Sequence, residues 1–98
     1  MNETHKGRAP LFALGDCVAT PGALDAMDGD RTLALMLLTP HMRGDWGDVC
    51  ADDAAANESA LRHGSRLMSG SRLVGGDTLW LTTEADRSVT TLLTPDEY

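Results

Sequence analysis

Ninety-eight residues with 42% hydrophobic side chains and a net charge of −7 fit one modest domain with a core of its own, and argue against a chain disordered throughout. The acidic balance, eight Lys and Arg against fifteen Asp and Glu, argues against direct binding to a nucleic-acid backbone or an anionic membrane surface, both of which need clustered positive charge. Aromatic residues are confined to Phe12, Trp46, Trp80 and Tyr98, so the core has to rest on leucine, methionine, valine and alanine.

Residues 1–10 are polar and aperiodic and read as a flexible tail, leaving 11–98 as a single α+β domain. The start of the chain lacks the basic opening and sustained apolar core of a secretion signal, and no run approaches the ~18 apolar residues of a membrane helix; the expected location is cytoplasmic. The segment DCVAT suggests a short extended entry. In TPGALDAMDG, Thr20 is placed to cap a helix, Pro21 to occupy its first turn and Gly29 to stop it. Asp30 can cap the next helix, RTLALMLLT, whose nearly unbroken apolar run predicts a buried helix ended by Pro40. A third helix is expected in ADDAAANESALRHG, with Asp52 and Asp53 accepting from its unpaired N–H groups and complementing its dipole, Arg62 and His63 in its last turn and Gly64 at its left-handed stop.

From Ser65 onward the pattern changes. SRLMSGSRLV, TLWLTTE and SVTTLLT are rich in Leu, Val, Thr and Trp and are divided by the turn-forming GGD and EADR. Consecutive hairpins predict a three-stranded antiparallel meander, with Leu79, Leu81 and Thr83 on one face and Trp80 and Thr82 on the other. The expected architecture is about three short helices packed on that meander, with one extra N-terminal strand as a variant.

The chemistry-bearing residues concentrate in HMRGDWGDVCADD. A zinc site would call for paired His or Cys at short spacing, and a calcium loop for alternating acids with a closing glutamate; neither pattern is present, so no metal is expected. There is no nucleophile elbow and no phosphate-wrapping glycine loop, so no catalytic residue and no cofactor are assigned. Cys17 and Cys50 are expected to be reduced, and for Cys50 a buried structural role is a commoner fate than catalysis. From Gly44 to Leu61 there are five acidic residues and no basic one. That stretch reads either as a solvated surface that keeps the protein in solution or as a surface for a cationic protein partner. A second constellation is TEADRS, where Glu84, Asp86, Arg87 and Ser88 share a hairpin tip and Arg87 has the geometry to pair bidentately with Asp45 or Asp48. If the two segments meet, Asp45, Trp46, Asp48, Asp52, Asp53, Glu84, Asp86 and Arg87 form one polar patch with an aromatic anchor, a composition suited to protein recognition. The alternative is that Asp86 and Ser88 satisfy turn backbone and Arg87 pairs locally.

GDCVATPGAL, GDWGDV after a histidine, and above all LWLTTEADRSVTTLLTPDEY resemble a family of small plasmid-related proteins of bacterial plasmids, integrative elements and prophages, over roughly Gly15 to Tyr98. The resemblance implies a mobile-element setting and carries no assigned activity or catalytic residues. The chain departs from the family pattern before His41, where an arginine is expected, and at LVGGDTLW, where a lysine-like residue often stands. Together with the charge, this favours a small acidic interaction protein that blocks a nucleic-acid-binding host-defence component of the CRISPR or restriction type. The competing expectations are a small enzyme or ligand-binding domain using His41, Asp45, Glu84 and Arg87, and a homo-oligomer built through an uncovered sheet face.

Overall fold

The computed structural model describes residues 9–98; the tail expected over residues 1–10 falls mostly outside them. In chain order the elements are β1 (Asp16–Ala19), α1 (Pro21–Ala26), α2 (Arg31–Met42), α3 (Ala51–His63), β2 (Leu67–Arg72), β3 (Thr78–Thr83) and β4 (Val89–Leu93), closed by a 3-10 turn at Pro95–Glu97. The fold is α+β. The expected meander forms, with β2–β3 and β3–β4 antiparallel, and β1 joins it as a fourth strand, parallel to β4, in the order β1-β4-β3-β2. The sheet is therefore mixed. The segment from β1 through α3 supplies the long crossover that a parallel partner requires.

Local chemistry sets the helix starts. Thr20 accepts from the Ala23 amide and Asp30 from those of Thr32 and Leu33, and Gly64 ends α3 at φ 71°, where the missing Cβ removes the steric penalty. The third cap differs from expectation. Cys50 occupies the N-cap of α3 without a side-chain bond, while Asp52 and Asp53 sit in the first turn and act through the helix dipole rather than by capping.

Helix α2 departs from expectation twice. It continues through Pro40 to Met42, because a proline so near the end removes only the amide that would reach the Met36 carbonyl, and Met36 is 65% exposed, so water is at hand. Nor is α2 buried all round. Leu38 and His41 face the sheet, with Leu33, Ala34 and Leu37 partly covered beside them, while Leu35 is 63% exposed.

The larger core cluster joins Ala23 and Met27 at α1, Leu38 of α2, and Leu79, Leu81 and Leu92 of the sheet. A second cluster under α3 holds Trp46, Ala60 and Leu67, with Phe12, Val49, Ala54 and Leu61 against it. The alternation expected in β3 is observed. Leu79, Leu81 and Thr83 face the helices, and Trp80 lies on the opposite face, edge-on to Tyr98 with ring centroids 5.2 Å apart. Glu97 ties this C-terminal turn back to α1: its carboxylate accepts from the Thr20 hydroxyl (2.5 Å), the Thr94 amide and hydroxyl, and the Gly22 amide (3.0 Å). Those bonds, led by that of Thr20, hold the Glu97 carboxyl down to about 2, since each favours the charged form.

Candidate interaction surface

The residues of the connection from α2 to α3 separate into a buried half and an exposed half. His41 is fully buried, lying edge-on to Phe12 at 5.3 Å and to Trp46 at 5.9 Å. Its Nδ1 is 2.5 Å from the Ser69 hydroxyl and its Nε2 2.8 Å from that of Thr83. The proton positions follow from the rest of the chain of bonds. Thr90 gives its only hydroxyl proton to the Leu14 carbonyl, so in the Thr83–Thr90 contact of 2.7 Å Thr83 donates. The Thr83 oxygen is then free to accept from Nε2–H, and Nδ1 accepts from Ser69. His41 is thereby a neutral Nε2–H imidazole with both nitrogens satisfied. Burial pushes its pKa down to about 4, because the charged form loses its hydration.

Trp46 is 6% exposed, stacks on Phe12 at 6.4 Å and donates its indole N–H to Glu58. It is a core residue and not a surface anchor. The backbone around it completes the sheet: the Gly70 amide donates to the Trp46 carbonyl, the Asp48 amide donates to the Gly70 carbonyl, and Gly47 bridges Gly70. Gly47 has φ +69°, and a Cβ there would lie 2.0 Å from the Gly70 oxygen, so the close approach requires glycine. One residue pair further along the same edge, the buried Asn57 side chain gives its amide to the Met68 carbonyl and takes the Met68 N–H. The outward backbone of β2 is thus closed at Met68 by Asn57 and at Gly70 by residues 46–48.

Asp45, Asp48, Asp52 and Asp53 are exposed. Asp45 accepts from the Gly47 amide in an Asx turn. The acids of the hairpin tip are separate from them and held locally. Glu84 pairs with Arg66 at 3.6 Å. Asp86 accepts from the hydroxyl and the amide of Ser88, and those bonds, the hydroxyl first, hold its carboxyl below the usual range.

Arg87 does not pair with Asp45 or Asp48. Its guanidinium donates to the carbonyls of Ser65 (2.5 Å), Glu84 (3.2 Å) and Ala60 (3.2 Å) and lies over the Phe12 ring. The Ala60 carbonyl, in the last turn of α3, carries negative partial charge and accepts from Arg87 besides the Gly64 amide, and a planar five-donor cation can serve several carbonyls at once. The single patch expected from the sequence is therefore divided. His41, Asp45, Glu84 and Arg87 likewise serve separate partners, His41 with no exposed surface.

Sequence reasoning overlooked Asn57, Ser69, Thr83, Thr90 and Glu97. The burial of His41 had a signal, since Ala34, Leu38 and His41 recur at helical spacing on one stripe of α2. Both cysteines are free and exposed, Cys50 against the buried role expected of it; burial of part of the Cys17 thiol and the neighbouring Asp16 charge push its pKa up. Among the described residues no three His, Cys, Asp or Glu side chains group as metal ligands, and no helix is long and apolar enough to cross a membrane. Comparison with family models, with curated proteins and with solved structures found no match for this chain.

Proposed function

We propose that this protein is a small acidic interaction protein of mobile genetic elements that binds a protein partner bearing a cationic surface. The observation that carries this reading is the exposure of Asp45, Asp48, Asp52 and Asp53 in the base-free stretch from Gly44 to Leu61. These carboxylates stand on a connection whose backbone is hydrogen-bonded to β2 and on the first turn of α3, so they are presented on fixed elements and cost little to order on binding. A field of one sign speeds encounter with a partner of the other. The resemblance to plasmid and prophage proteins supports a partner among nucleic-acid-binding host-defence proteins of the CRISPR or restriction type, whose phosphate-binding grooves are positively charged.

The test is affinity purification of the tagged protein from a bacterial host, beside a variant carrying Asp→Asn at positions 45, 48, 52 and 53. Asparagine keeps an acceptor for the Asx turn at Asp45, so the fold is expected to persist. A stoichiometric partner that is retained by the parent, lost from the variant and released by salt is the expected result. Retention by a folded variant refutes the reading.

A further inference from the structure

His41 is tied at two points to the segment just ahead of β1. On one side the Phe12 ring lies edge-on to the imidazole. On the other, the hydroxyl chain that starts at Nε2 runs through Thr83 and Thr90 and ends on the Leu14 carbonyl. Residues Leu11–Leu14 belong to no helix or strand. Among the described residues one backbone bond, from the Leu11 amide to the Met42 carbonyl, holds their outer end. Phe12 is only partly buried, stacked on Trp46 with the Arg87 guanidinium over its ring. At the inner end Gly15, at φ 66°, precedes Asp16, whose amide is fixed to the Ser88 carbonyl, so the segment can turn there without disturbing the sheet.

The rest of the enclosure is held by regular structure. Ser69 and Thr83 stand on paired strands, His41 itself on α2, and Trp46 on a connection bonded to β2. Water therefore reaches the imidazole most readily from the side of Phe12, with loss of the Leu11–Met42 and Thr90–Leu14 bonds and the Phe12 ring contacts. From any other side α2 or the sheet has to come apart. Both ring nitrogens face hydroxyls and neither faces a carboxylate. The charged groups around the enclosure are Arg87 on the Phe12 ring, Glu58 on the Trp46 indole, and Arg43 and Asp45, which follow His41 in the chain. An imidazolium thus gains little from the closed enclosure and recovers its hydration in an open one.

We infer that residues Leu11–Leu14 are a strap closed over neutral His41, which lifts about Gly15 when the imidazole takes a second proton and uncovers Trp46 beside the exposed Asp45 and Asp48. Lifting bares the face of Trp46 on which Phe12 stacks and adds an aromatic surface to the acids that flank it in the chain. The use of that surface in recognition rests on the partner-binding reading above; the strap and its proton do not, and their test needs no partner.

The test is native-state hydrogen exchange of the full chain, with each rate divided by its intrinsic value at that pH. The Leu11 amide is expected to exchange through an opening that leaves the β3 amides protected. With the closed imidazole titrating at about 4 and the opened one at 6.5, that opening becomes about 25-fold more populated from about pH 7.5 to about pH 5. In His41→Gln the rise disappears. Phe12→Ala uncovers the ring and leaves the sheet untouched; it should move the NMR titration of His41 back toward 6.5, and it keeps the strap testable if His41→Gln fails to fold. Leu11 exchanging only together with β3, an equal pH dependence in His41→Gln, or an unmoved His41 titration in Phe12→Ala overturns the proposal.

Discussion

His41 makes the stability of this protein depend on pH. The imidazole is enclosed by Phe12 and Trp46 and hydrogen-bonded by Ser69 and Thr83, with no charged group among these contacts. Its pKa falls from 6.5 to about 4 on folding. Between those values the unfolded chain binds a proton that the folded chain refuses, so stability rises with pH there: the contribution is complete above the unfolded value and lost progressively on acidification. Over the full interval the loss is about 3 kcal/mol, and from about pH 7.5 to about pH 5 it is about 2 kcal/mol. Glu97 contributes little between about pH 7.5 and about pH 5. Its carboxyl is held down to about 2 from 4.5, so its stabilisation is complete above the higher value and is lost only as pH falls toward the lower.

The assay is urea denaturation across this range for the parent and for His41→Gln, which cannot titrate. The variant is expected to be less stable at neutral pH and to have the flatter curve, by about 2 kcal/mol over the interval. Nitrogen-correlated NMR at neutral pH should show a protonated Nε2 and a bare Nδ1. Parallel curves for the two proteins, or an Nδ1–H tautomer, would refute the buried neutral histidine and the direction assigned to the threonine chain.

Asn57→Ala leaves the Met68 N–H and carbonyl without their side-chain partners and should cost about 2 kcal/mol; equilibrium unfolding checks it, and a change below about 0.5 kcal/mol would show that water replaces the asparagine without loss. Gly47→Ala places a Cβ against the Gly70 carbonyl at a left-handed φ and should cost roughly 2 kcal/mol or more. Hydrogen exchange should show the Gly70 amide losing protection as its bond to the Trp46 carbonyl opens; unchanged protection would mean that the connection adapts elsewhere.

The elements most legible in the sequence were those governed by local chemistry. Thr20 with Pro21, Asp30, and Gly64 mark helix ends through groups within a few residues, and the turns GGD and EADR divide the strands by backbone preference alone. The parallel pairing of β1 with β4 was not legible, because Asp16 and Val89 meet only after the helices have packed between them in sequence. Pro40 was misread for a related reason. Its missing donor ends a helix only where the orphaned carbonyl has no alternative, and exposure at Met36 is a property of the fold. The site suffered most. Arg87 and Trp46 carry the composition of an interface, yet the carbonyls of Ala60 and Ser65 claim the first and Phe12 and Glu58 the second. Composition cannot distinguish a residue that recognises a partner from one that recognises its own chain.

That distinction does sort the acids. Asp30 caps α2, Asp45 and Asp86 close Asx turns, and Glu97 fastens α1 to the C-terminal turn, so each has a structural reason for its place. Asp48, Asp52 and Asp53 accept no side-chain hydrogen bond among the described residues. The dipole of α3 favours Asp52 and Asp53 by about 0.3–1 kcal/mol each, and nothing comparable supports Asp48, which shares its neighbourhood with other negative charge. Neutralising Asp48 alone should therefore leave stability unchanged or slightly raised, by less than about 0.5 kcal/mol. If the same change weakens capture of a partner, fold and recognition are separated at one residue, and the charge at that position is retained for binding and not for folding. If Asp48→Asn instead destabilises the chain, the acidic connection serves the structure, and the case for it as an interaction surface fails with it.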